Sequence, residues 1–193
     1  MGPDGSKLRT KSSLVGSTEA SIPGSGGGRN MNLFSWRFKN SSNSLVNSTL
    51  FDENSFYKAF VRDLNHCQEE VIIESPFITA SRMELLYPMF EELLSKGISV
   101  TILTRDPIEH EEEYLRNQAT NEILHSIELG INIILLKGYH HRKLAFLDRR
   151  ILWEGSLNIL SQGKSKEIMR RIEGKEIVKQ MFKFLKLGKL LNG

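Results

Sequence analysis

The spacing of apolar positions changes several times along this chain, and each change marks an element. Phe56, Phe60 and Leu64 recur every four residues, which places them on one face of a helix over about 53–67, capped by Asp52 or Ser55. Glu70 to Ile78 contains the β-branched run Val71-Ile72-Ile73 and reads as a buried strand that Pro76 closes. Ser81 is the candidate cap of a helix running to Lys96, with Leu85, Met89 and Leu93 as its stripe and Gly97 as its stop. Residues 98–103 form the next strand. Pro107 opens a loop into a polar, acidic helix over about 109–129, Gly130 ends it, and 131–136 is a third strand. Strands alternating with helices in this way imply right-handed crossovers and a mostly parallel sheet. Lys143–Leu147 and Arg150–Trp153 are short strands around Asp148-Arg149, so a hairpin is expected. A last helix spans 174–187, with Ile177, Met181, Phe184 and Leu185 as its apolar stripe. The fold class is therefore α/β, a mostly parallel or mixed central sheet flanked by helices.

The pattern ahead of these elements is different. Residues 1–30 are rich in Ser, Gly and Thr and include Gly24-Ser25-Gly26-Gly27-Gly28, the composition of a flexible tail or an artificial leader, with Met31 as a candidate natural start. Residues 31–50 stay polar, but Phe34, Trp36 and Phe38 alternate, as in a small arm packed on the body or an edge strand. The folded domain is then 51–193. A chain of 193 residues that is 39% hydrophobic suits one domain with a real core plus tails. No apolar run reaches membrane-spanning length and the first residues lack a secretory h-region, so the expected compartment is cytoplasmic. The single cysteine, Cys67, allows no intramolecular disulfide and reads as a core or near-core residue.

Charge changes the picture through its distribution. The formal net charge is only +3, yet residues 84–128 carry ten acids against three bases, and 164–189 carry nine bases against three acids. A negatively charged partner is drawn to the second region and repelled by the first.

The candidate chemistry lies in His141-Arg142-Lys143, Asp148 and Gly155-Ser156-Leu157-Asn158. In extended chain, residues i and i+2 share a side. His141 and Lys143 therefore face one way, and His140 and Arg142 the other. A neutral imidazole can attack phosphorus or take a proton, while an ammonium offsets charge on the nonbridging oxygens. Ser156 and Asn158 add hydrogen bonds from a neighbouring turn, and His140 is placed to touch substrate from the edge. Neither a metal nor a cofactor is needed for these roles. Glu109, Glu111, Glu112 and Glu113 around His110 point in different directions on a helix and read as a solvated charge run. His66 and His125 fall in predicted helices and read as structural or exposed.

These residues match HxK(x)4D(x)6GSxN at every fixed position, and the chain thereby resembles the phospholipase D superfamily. The resemblance covers about 52–187 and implies one phospholipase D-like domain with a single motif, leaving the first 50 residues outside. It implies His141 as covalent nucleophile, forming a phosphohistidine, and a second motif's histidine as the acid that protonates the leaving oxygen and then activates water. Lys143 and Asn158 would hold the phosphate, Asp148 would be mainly structural, and Glu167 would orient the histidine.

The single motif is similar to the short bacterial nuclease branch, whose members pair two protomers. That implies a homodimer hydrolysing nucleic acid through phosphate contacts, with Gly155, Ser156, Lys179 and Lys183 assisting and no base-reading element. Such domains also accompany helicase or restriction machinery. A second reading is a phospholipase or phosphatidyltransferase, because Phe182, Phe184, Leu185, Leu187, Leu190 and Leu191 interleave with Lys183, Lys186 and Lys189 as in a membrane-surface helix. The simpler account of that stretch is a last helix docked on the sheet. A third reading is a non-enzymatic nucleic-acid-binding or partner-binding domain, which would have no use for a nucleophilic histidine.

Overall fold

The computed structural model describes residues 47–161 and 163–192. Residues 1–30, and Phe34, Trp36 and Phe38, lie outside these residues. Seven strands form one sheet in the order β1-β7-β6-β5-β2-β3-β4. They are β1 (Asn47–Asp52), β2 (Glu70–Glu74), β3 (Ser99–Arg105), β4 (Asn132–Leu136), β5 (Leu144–Leu147), β6 (Ile151–Gly155) and β7 (Ile168–Glu173). The three helix-linked strands β2, β3 and β4 run parallel, as expected. The remaining pairings are antiparallel, so the sheet is mixed rather than mostly parallel.

Alternation along the strands makes two cores. Val71, Ile73, Val100, Ile102, Ala145 and Trp153 face one side, under α1 (Phe56–Asn65) and α2 (Ala80–Ser95). Phe56, Phe60 and Leu64 supply the contact predicted for α1. Ile72, Phe146, Leu152 and Ile172 face the other side, under α4 (Lys175–Phe184) and α5 (Leu187–Leu191). Burying side chains of this size contributes roughly 1.5–3 kcal/mol each. Cys67 is buried in the first core, where burial and the nearby Asp148 and Asp63 carboxylates push its thiol up to about 12.

Several expectations are corrected. In α2 the buried stripe is Met83, Leu86, Phe90 and Leu93; Leu85 is 65% exposed, and Thr79 rather than Ser81 stands at the N-cap. Leu93 belongs to the expected stripe and Met89 is half-buried against the same core, so of the three only Leu85 falls outside. The acidic helix is shorter than predicted: a 3-10 turn at Pro107–Glu109 precedes α3 (Glu113–Glu128). The final helix breaks at Lys186, whose φ is 55°, into α4 and α5, and Phe184 points to solvent. Two strands went unread. Residues 47–50, assigned to the arm, belong to edge strand β1, and β7 was not anticipated.

Candidate active site

The sheet's topology gathers the motif at one end. β5 runs antiparallel to both β2 and β6, so the start of β5 lies beside the ends of those strands, with Leu144 opposite both Glu74 and Glu154. The start of β7 joins them through Gly155 opposite Met169. His141, Lys143, Gly155, Ser156, Asn158 and Glu167 line one cleft there.

His141 and Lys143 precede β5 rather than lying within it. They still share a side. The exposed imidazole and the buried ammonium meet, with Lys143 Nζ 2.6 Å from His141 Nδ1 and 2.8 Å from its carbonyl oxygen. Burial, then the Lys143 charge, then Arg105 hold the His141 imidazolium below its ordinary pKa. Burial also lowers the Lys143 pKa, which the Glu167 charge partly restores. The resting pair is thus a neutral ring, capable of attack, beside a cation that can donate to phosphate oxygens.

The GSxN turn is fixed by close packing. A Cβ on Gly155 would come within 2.1 Å of the Ile168 carbonyl oxygen, so only glycine fits there. Ser156 donates its N–H to Ile168 O at 2.9 Å and accepts from Ile168 N–H at 3.1 Å through Oγ. Its hydroxyl therefore ties β6 to β7. Leu157, Ile159 and Leu160 are buried, while Asn158 alternates out to the cleft with a buried Oδ1 that has no protein partner.

The family profile described as Cardiolipin synthase, PLD-like domain matches residues 60–186. The chain belongs to the phospholipase D-like family. Among solved structures it is similar to NucT from Helicobacter pylori, with 19% identity, a TM-score of 0.59, and coverage of 76% of this chain and 96% of that one. Nuc from Salmonella typhimurium, a phospholipase D family member, gives 13% identity and a TM-score of 0.57 over 73% of this chain and 92% of that one. Phosphatidylserine synthase from Haemophilus influenzae gives 15% and 0.54 over 72% of this chain and 38% of that one. At these identities the likeness is one of fold. No curated protein sequence matches the chain.

Within this phospholipase D-like domain the remaining candidates separate. Asp148 lies at the far end of β5, where its carboxylate accepts the backbone N–H groups of Gln68, Glu69 and Glu70 at 2.8–3.2 Å. Asp148 and Arg149 both adopt positive φ, 50° and 48°, in the three-residue loop that closes the predicted hairpin, where Arg150 donates its N–H to the Leu147 carbonyl at 3.0 Å. Asp148 thus anchors the frame and does not line the cleft. Glu167 does line it, yet its carboxylate accepts from Ser165 Oγ at 2.7 Å and its charge acts on Lys143; no hydrogen bond to His141 is formed. His140 turns inward to the buried carboxylate of Glu74, which also accepts from Arg142 Nε at 2.6 Å. That contact, rather than substrate, occupies His140 and clamps the backbone on both sides of His141. Lys179 and Lys183 are exposed on α4 outside the cleft, so they contribute charge at a distance.

Three features were missed in the sequence. Glu74, only 1% exposed, sits at the end of β2, and Phe77 follows it to meet the His141 ring edge-on at 6.2 Å. The signal available was position, because ligands gather at the carboxyl ends of parallel strands. Glu109 is not a solvated acid: its carboxylate accepts from the Gly138 and Tyr139 N–H groups, and neighbouring His110 is buried. Glu111, Glu112 and Glu113 are exposed, as read. Among the described residues no three His, Cys, Asp or Glu side chains converge to hold a metal ion.

Proposed function

We propose that this domain is a metal-independent phosphodiesterase that hydrolyses nucleic acid through a covalent phosphohistidine. The observation that carries the reading is the His141–Lys143 pair in an open cleft, the imidazole neutral and the ammonium in contact with it. A phosphate entering the cleft competes for that ammonium and draws it off the ring. The freed ring nitrogen attacks phosphorus, the P–O bond to the leaving strand breaks, and the leaving oxygen takes a proton. Water then attacks the phosphohistidine, gives up its proton and restores the imidazole. Lys143 and Asn158 hold the phosphate through both steps. Similarity over nearly the whole length of NucT and Nuc favours a compact nuclease over a longer lipid enzyme.

The leaving oxygen needs an acid: a second copy of His141 across a two-fold axis, in its protonated form, gives up that proton and later takes one from the attacking water. Leu50 and Ile168, 69% and 62% exposed, stand on the cleft rim beside the Glu154–Arg170 ion pair. Apolar groups and paired charges on one surface suit a self-complementary contact that buries the rim and completes the site.

One observation favours the lipid reading, namely the cardiolipin synthase description of the matching family. The C-terminal segment supports it less than its sequence suggested, because Phe182, Leu185, Leu187 and Leu191 pack on the second core, leaving Phe184 and Leu190 outward. The test is cleavage of labelled single-stranded DNA, duplex DNA and RNA in excess EDTA, with phospholipid turnover measured in parallel. Nucleic acid is expected to be cut with EDTA present. Complete loss on chelation, restored by magnesium, contradicts the mechanism, and lipid turnover without strand cleavage selects the second reading.

A further inference from the structure

Tyr139 stands two residues before the nucleophile, in a conformation that bulky side chains rarely adopt. Its φ is 56°, in the left-handed region, directly after Gly138 at 89°. A tyrosine is strained there, and such strain persists only where the surroundings hold it. Here the holder is Glu109, which accepts the N–H of Gly138 at 2.7 Å and of Tyr139 at 3.1 Å. Glu109 in turn pairs with Arg105, whose Nη2 also donates to the Glu109 carbonyl at 2.6 Å. The result is a rigid mount that turns an aromatic ring outward. Tyr139 is 77% exposed, and the Arg105 guanidinium backs its ring at 5.1 Å from the centroid. The same guanidinium lies 5.9 Å from the ring centre of Phe77, which touches His141. A single exposed aromatic is ordinary. One fixed by a carboxylate, backed by a cation and placed within about 7 Å of the nucleophile's Cα along the chain is a prepared surface.

Resting on the nuclease reading above, we propose that the outward face of Tyr139 is a stacking platform for the nucleobase adjoining the phosphate held by His141 and Lys143. The nucleotide's phosphate and base are one sugar apart, and the two protein groups are two residues apart. Stacking uses a base's face and not its edge, so it tolerates any sequence. It needs a face that is free, so the preferred substrate is single-stranded, because duplex bases already stack on each other.

The test compares a short single-stranded oligodeoxynucleotide with a fully abasic strand of the same length, cleaved by the whole chain and its variants. Wild type is expected to favour the base-bearing strand by about 5- to 160-fold in kcat/KM, the range of base–aromatic stacking. Tyr139→Ala should lose that preference while cleaving the abasic strand as wild type does, and Tyr139→Trp should keep it. Tyr139→Gly removes the ring and suits the positive φ, so it should lose the preference with no loss of thermal stability. A full base preference retained in Tyr139→Gly overturns the platform, as does equal wild-type cleavage of both strands. Wild type cutting neither strand while turning over phospholipid overturns the nuclease reading itself, a different outcome from the first two.

Discussion

Strand β5 carries the two halves of the motif at its two ends, separated by roughly 13 Å of extended chain. At the far end, the Asp148 carboxylate accepts three successive backbone N–H groups, and the chain turns tightly beside it. At the near end, His141 is exposed, Lys143 is buried against it, Asn158 Oδ1 has no protein partner, and Tyr139 is held in a strained conformation. Both ends carry residues at positive φ, so what separates them is polar satisfaction: satisfied polar groups fix a frame, whereas an unsatisfied one awaits a ligand. One motif therefore serves two purposes, and the division predicts which substitutions remove activity and which remove stability.

The sharpest break falls at the near end. His141→Ala should lower turnover by at least about 10³-fold, on the scale of a lost catalytic group, while the denaturant midpoint stays near that of wild type. Unfolding curves measured beside cleavage rates check both halves. Asp148→Ala should do the reverse. Losing charge-assisted bonds to three N–H groups costs about 2–4 kcal/mol of stability, yet the protein that remains folded should cleave at close to the normal rate. A large rate loss at full stability would erase the distinction between the ends. Gly155→Ala tests the joint between frame and cleft. Its Cβ overlaps the Ile168 carbonyl, so β6 and β7 must separate, at a cost of about 1–3 kcal/mol, and cleavage should weaken with them.

The smallest effect is on proton affinity. Imidazolium cannot attack, so activity falls as pH drops through the His141 pKa. Burial, Lys143 and Arg105 all hold that pKa below 6.5, so the acid limb of kcat/KM should lie below the ordinary histidine range. Lys143→Met removes one of those causes, and the His141 titration followed by NMR should move upward.

The same contrast explains what was legible in the sequence. The helix-linked strands and the hairpin were readable because Val71-Ile72-Ile73 and Leu144–Leu147 are buried and carry apolar runs. β7 hid because Arg170 and Arg171 interrupt it on opposite faces, one pairing with Glu154 and the other with Asp63. β1 hid because an edge strand whose side chains are nearly all exposed needs no apolar period. The motif residues could be named from their spacing, but Glu74, Arg105 and Glu109 act through partners 66, 34 and 29 positions away, or through charge alone. Charged residues on strand ends and in an acidic run look solvated until the fold supplies their partners.

The central claim is that His141 becomes covalently bound to phosphorus. A single-stranded oligonucleotide labelled next to its scissile phosphates, mixed with excess protein in EDTA and quenched under denaturing, alkaline conditions, measures this directly. Label is expected on the protein, located by peptide mapping at His141, stable in alkali, released by acid, and absent from His141→Asn. Strand cleavage that persists in His141→Asn, or wild-type turnover without any acid-labile adduct at His141, would contradict it.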